Sequence, residues 1–130
     1  MADTVNFFEI GTPDAGSTRD FYSTLFGWTF ATPNDAGYGF VDDRAGALWD
    51  TSDIGGQTWA VFYIEVADIR ATLELAVQRG ATTALPLVDN GTILFAHVAD
   101  PSGNRVGIWQ RKTTNQAIPT TPGTAAARRQ

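Results

Sequence analysis

The sequence predicts an α+β fold made of two tandem βαβββ modules. Three observations carry this. A strong strand signal followed by an Asp-capped amphipathic segment occurs twice. Each such segment ends in a glycine, and Gly27 and Gly80 lie 53 residues apart. Each glycine is followed by three further strand-like runs set off by turn residues.

Each element has a local reason. Residues 4–11 are aromatic and β-branched and end at Gly11 and Pro13, as a strand does. Asp14 can cap a helix over about residues 15–26, with Phe21, Tyr22, Leu25 and Phe26 as its apolar stripe. Gly27 stops it. Short strands are expected at Trp28–Ala31, Tyr38–Asp42 and Gly46–Asp50, with Pro33-Asn34 and Asp42-Asp43-Arg44 as turns. Residues 51–57 read as a linker between the modules, 4–50 and 58–111.

In the second module, residues 58–66 give the strongest strand signal of the chain. Asp68 caps a helix that places Ile69, Leu73, Ala76 and Val77 on one face, and Gly80 ends it. Strands are expected near Ala84–Val88, Ile93–Ala99 and Arg105–Arg111. A tight turn, Asp100-Pro101-Ser102-Gly103-Asn104, joins the last two. Neither half has core enough to stand alone, so one domain over 4–111 is expected. Residues 112–130 are rich in Thr, Pro, Ala and Gln, lack periodicity and read as a disordered tail.

Composition narrows the function. The 130 residues are 43% hydrophobic and 12% aromatic, enough for a core. Residues 1–111 hold 6 basic and 14 acidic side chains, net −8. So acidic a body repels phosphate backbones and anionic lipids, so neither nucleic acid nor a membrane is expected as partner. No apolar run approaches the ~20 residues of a membrane helix. There is no cysteine, which removes disulfides and thiol chemistry. A soluble, cytoplasmic protein is the expectation. The single histidine, His97, rules out a metal site built from several histidines of one chain. Gly55-Gly56 lacks the following helix of a phosphate loop, and no Ser-centred nucleophile elbow is present.

Three segments, in this order and on a duplicated frame, resemble one family. They are Phe8-Glu9-Ile10, Phe21-Tyr22 through Leu25-Phe26-Gly27-Trp28, and Asp100-Pro101-Ser102-Gly103-Asn104. The pattern resembles the vicinal oxygen chelate superfamily of glyoxalase I, bleomycin-resistance proteins and extradiol dioxygenases. It looks closest to the small glyoxalase-like branch related to lactoylglutathione lyase. The resemblance implies a curved, cup-like mixed sheet, and in the enzymes a divalent metal at its floor. Ligands there are typically His or Gln on the first strand of each module and Glu on the last.

Carried onto this chain, those positions fall on Phe7, Val61 and Gly107, with Gly46, Ala47 or Leu48 in the first module. None can ligate a metal. The expectation is therefore no metal and no cofactor.

Strand alternation from these positions selects the side chains expected to line the cup. They are Phe7, Glu9, Trp59, Val61, Tyr63, Phe95, His97, Gly107 and Trp109, with Leu48 or Trp49. Aromatic walls with a few polar groups suit a small apolar or aromatic ligand. Residue by residue, plain core packing explains each ring as well. His97 is the candidate acid or base, with Glu9 to orient it or act itself. Histidine and glutamate satisfied inside the fold are the plain alternatives.

The leading expectation is a metal-free pocket protein that binds an organic compound and, by the resemblance, forms a homodimer. The alternatives are a metal-independent isomerase, cyclase, lyase or hydrolase using His97 and Glu9, and a metal enzyme with an unusual set of His97, Glu9 and Asp50. Whether the chain is an enzyme at all stays open at this point.

Overall fold

A computed structural model describes residues 3–112. The expected tail, residues 112–130, lies outside them except for Lys112. Seven strands and two helices form among the described residues, in the order β1 (Thr4–Thr12), α1 (Ala15–Phe26), β2 (Tyr38–Val41), β3 (Gly46–Asp50), β4 (Trp59–Glu65), α2 (Ile69–Gln78), β5 (Thr82–Asp89), β6 (Ile93–Ala99) and β7 (Arg105–Arg111). The architecture is mixed α+β. The chain divides into two compact units, Asn6–Phe62 and Tyr63 onward with the first residues to Val5. No helix among the described residues is long and apolar enough to cross a membrane.

In the first unit β1 pairs in parallel with β3, and β3 pairs antiparallel with β2. Both α1 ends form as read from the sequence. The Asp14 carboxylate accepts from the Ser17 amide at 3.1 Å, and Gly27 takes the left-handed conformation at φ 72°. The strand expected at Trp28–Ala31 is reduced to one bridge, Phe30 to Val41. A Pro at 33 and the turn accepted by Asn34 hold the chain off any longer ladder. The β2–β3 turn is unusual. Asp42, Asp43 and Arg44 all have positive φ, at 46°, 56° and 74°. Asp42 offsets this strain by accepting from the Thr29 amide at 2.9 Å, and Arg44 lies 4.4 Å over the Phe40 ring.

The stretch 51–57 is more than a connector. Thr51 is fully buried, and its hydroxyl donates to the Gln57 carbonyl at 2.6 Å.

In the second unit the strand order is β4-β7-β6-β5, with β4 and β7 parallel and the other pairs antiparallel. Helix α2 packs on this sheet through Ile69 and Leu73, over Val66, Leu94, Ala96, Val98 and Ile108. Asp68 caps it through the Ala71 amide at 3.1 Å, and the Gln110 side chain of β7 takes the Ile69 amide at 2.8 Å. Ile69 is fully buried whereas Val77, expected on the same face, is 55% exposed. Helix α1 differs: no residue of it is buried, and Phe21, Leu25 and Phe26 are more than half exposed.

Candidate functional site

Alternation along a strand sends neighbouring side chains to opposite faces, so the register fixes what each face carries. In the first unit Thr12 meets α1, its hydroxyl 2.9 Å from that of Thr18. Phe8 and Ile10 share that face. The opposite face carries Phe7, Glu9 and Gly11 of β1, Ala47 and Trp49 of β3, and Tyr38 and Phe40 of β2.

Glu9 is the polar centre of this face and is 1% exposed. One carboxylate oxygen accepts from the Tyr38 hydroxyl at 3.0 Å, the other from the Trp59 indole N–H at 2.8 Å. Trp59 reaches it by lying flat on Gly11, where an added Cβ would come within 2.4 Å of the indole. Trp49 packs edge-on against both Trp59 and Tyr38, at 5.7 and 5.9 Å between ring centres. Phe7 meets Phe40 edge-on at 6.3 Å. Burial, then the Glu9 charge and hydrogen bond, push the Tyr38 hydroxyl far above the usual phenol range. Tyr38 is thereby held as a donor.

In the second unit the face away from α2 carries Tyr63 and Glu65 of β4, Gly107, Trp109 and Arg111 of β7, and Phe95 and His97 of β6. His97 has no exposed surface. Its Nε2 lies 2.6 Å from the Tyr63 hydroxyl, and the Arg105 Nε–H donates to its Nδ1 at 2.9 Å. Tyr63 reaches across because β7 presents Gly107 beneath the ring; a Cβ there would come within 2.7 Å of it. Toward one end of the face, Arg111 lies 4.8 Å over Trp109 and pairs with Glu65 at 2.6 Å.

The residues singled out in the sequence thus fall into two sets. Phe7, Glu9, Trp49 and Trp59 meet in the first unit. Tyr63, Phe95, His97, Gly107 and Trp109 share a face in the second, and Val61, which falls in the first unit, is buried on β4. The groups that orient His97 are Tyr63 and Arg105. Sequence reading missed Tyr38, Phe40 and Arg105. Arg105 follows directly on the Asp100–Asn104 turn, opposite Ala99 in the hairpin. Its parity with Gly107 was the available signal.

A divalent metal does not fit these residues. An arginine N–H occupies the His97 Nδ1 lone pair and brings its positive charge with it. Asp50 is engaged by the Ser52 amide and hydroxyl, which hold its carboxyl below the ordinary carboxylate range. Among the described residues no three His, Asp or Glu side chains are placed to share an ion.

Comparison with known proteins agrees with this fold. Residues 4–108 match the model of the Glyoxalase/Bleomycin resistance protein/Dioxygenase superfamily. CFP32 of Mycobacterium tuberculosis, named provisionally as a glyoxylase, is 25% identical over 128 residues, covering 82% of this chain and 45% of its own length. The anthracycline biosynthesis protein DauV of Streptomyces sp. strain C5 is 28% identical over 126 residues, covering 81% of this chain and 46% of its own. The chain therefore spans about half the length of these curated relatives. Among solved structures, a superfamily member from Vibrio splendidus 12B01 superposes with a TM-score of 0.57 at 18% identity, over 85% of this chain and all of that one. Protein BH1468 of Bacillus halodurans C-125 gives 0.59 at 11%, over 87% and 97%. At such identities the structures speak for the fold alone. By the match over residues 4–108, the chain belongs to the Glyoxalase/Bleomycin resistance protein/Dioxygenase superfamily.

Proposed function

We propose that this protein binds a planar, mainly apolar or aromatic organic compound on the aromatic faces of its sheets, without a metal. The carrying observation is the face of β4, β7 and β6 away from α2. There Tyr63, Phe95, His97 and the partly exposed Trp109 share one face, the first three of them buried. By the resemblance, the family's ligand positions fall on Phe7, Val61 and Gly107, none of which can hold an ion. Rings of this kind stack on planar ligands. Two relatives named for anthracycline biosynthesis support an aromatic ligand.

The test is quenching of tryptophan fluorescence by a soluble polycyclic quinone, anthraquinone-2-sulfonate, with and without chelator. Saturable quenching that survives chelator and weakens at least tenfold in Trp109→Ala is expected. Quenching that needs added metal overturns the reading.

We further infer a homodimer that covers the exposed Phe21, Leu25 and Phe26 of α1. Light scattering of wild type and Phe26→Glu decides this, with a dimer that falls to monomer as the expected result.

A further inference from the structure

We propose that Asn90, at the tip of the β5–β6 hairpin, is a modification site: its side-chain amide is lost by ring closure with the Gly91 backbone nitrogen, and Asp89 holds the pair unreacted while the hairpin is folded. This goes beyond the ligand-binding reading and does not depend on it.

The chain holds one Asn-Gly pair, Asn90-Gly91. Glycine matters at the second place because no Cβ shields its nitrogen from attack on the neighbouring side chain. Both residues are exposed, in the turn that joins β5 to β6, and Gly91 has φ 92°. Water therefore reaches both reacting groups. The other turn asparagines, Asn34 and Asn104, are followed by Asp35 and Arg105, whose side chains crowd the nitrogen.

The chemistry needs only water. The Gly91 nitrogen gives up its proton and attacks the Asn90 Cγ. A C–N bond forms, the Cγ–Nδ2 bond breaks, and Nδ2 leaves as ammonia with the proton. Water then opens the five-membered imide at either carbonyl and leaves aspartate or isoaspartate at position 90. Nothing is oxidised or reduced.

The folded turn opposes the first step. The Gly91 N–H donates to the Asp89 Oδ1 at 2.9 Å, so a carboxylate holds the proton that must leave. The Lys112 ammonium lies 3.0 Å from each Asp89 oxygen and keeps that carboxylate in place. The Gly91 amide, before Lys112, holds the Asp89 carboxyl below the ordinary carboxylate range, so the group is charged at neutral pH. The Asn90 Oδ1 accepts from the Thr92 and Ile93 amides, each at 2.9 Å, which fixes the carboxamide in one orientation. Conversion puts a second negative charge beside Asp89, at the end of the strand pair that carries Phe95 and His97.

The test follows amide-to-acid conversion by mass spectrometry of peptides cut from the full chain after incubation at neutral pH, folded and in urea. In urea Asn90 should be the first asparagine to convert. In the folded chain its rate should be at least about tenfold lower, the worth of one hydrogen bond to a charged group. Asp89→Ala should raise the folded rate about tenfold by the same reasoning. Asp89→Asn keeps an acceptor without the charge and should fall between. Asp100→Ala removes a carboxylate from the other hairpin turn of this unit and should leave the rate at position 90 unchanged. A folded rate equal to or above the rate in urea overturns the proposal, as does another asparagine converting first. An Asp89→Ala rate equal to wild type overturns it too, and so does an Asp100→Ala rate raised as far as that of Asp89→Ala. Hydrogen exchange of the Gly91 amide in wild type gives a readout independent of variant folding. Protection is expected, and exchange as fast as in the unfolded chain removes Asp89 from its role.

Discussion

The two halves of this protein put the same scaffold to different uses. Aligning the strands by register sets Glu9 of β1 against Tyr63 of β4, and Trp49 of β3 against Trp109 of β7. In each half a glycine lets an aromatic ring lie flat and bring a polar atom to a buried titratable group: Gly11 under Trp59 for Glu9, Gly107 under Tyr63 for His97. The networks then diverge. Both the Tyr38 hydroxyl and the Trp59 N–H donate to Glu9, and each is neutral. This satisfies the carboxylate and holds its neighbours still. His97 stands between the Arg105 cation and the Tyr63 phenol.

The largest effect that would break this contrast is at Glu9. Glu9→Ala leaves a buried hydroxyl and a buried indole N–H without their acceptor, at a cost of about 3 kcal/mol. Urea unfolding should show a much lower midpoint, and a change under 1 kcal/mol would remove Glu9 from its structural role. Ile69→Ala should cost a similar 2–5 kcal/mol by opening the core under α2, in the range ~24 cal/mol per Å³ of cavity implies. Phe26→Ala on exposed α1 should cost within about 0.5 kcal/mol in the isolated protomer. Equal losses at the two sites would deny the asymmetry between the helices.

Gly107→Ala should cost about 1–3 kcal/mol through overpacking against the Tyr63 ring. It should also change the nitrogen NMR signals of His97. A stable variant with unchanged signals would show that the glycine is not what seats the phenol.

pH dependence separates the networks further. The Tyr38 hydroxyl is raised in the folded state by burial first and by Glu9 second. Stability from that shift is complete below the unfolded phenol value of 10.0 and is lost as pH rises beyond it. Alkaline unfolding should begin above pH ~10 and be blunted in Tyr38→Phe.

The smallest effects lie at the exposed turns. The Asp100 carboxyl is lowered from its ordinary 3.8, first by the Asn104 side chain and then by backbone amides of the turn. Its contribution is present above 3.8 and lost as pH falls through the depressed value. Asp100→Ala should therefore flatten the acid limb of the stability profile only slightly.

Much of the fold was legible because it is written locally. Asp14 and Asp68 are capping residues wherever a helix follows, and Gly27 and Gly80 both take positive φ at the helix ends as their lack of Cβ allows. Alternation alone places Tyr63, Phe95, His97 and Trp109 on one face, as the register has them. Other features were not legible. The strand at Trp28–Ala31 shrank to a bridge because Pro33 and the Asn34 turn keep the chain off a longer ladder with β2. The apolar stripe of α1 looked like that of α2, yet only α2 met a sheet that buried it.

The sequence by itself determined the duplicated strand–helix order, the caps and turns, and the faces of the strands. Each depends on neighbours within a few residues or on strand parity. Tertiary structure alone decided that Arg105 would meet His97, that Tyr38 and Trp59 would close on Glu9, and that Gly11 and Gly107 would lie beneath aromatic rings. Those pairings join residues brought together by strand register, and their geometry sets which way each proton points. A linear sequence carries the donors and acceptors but not the distances that choose among them.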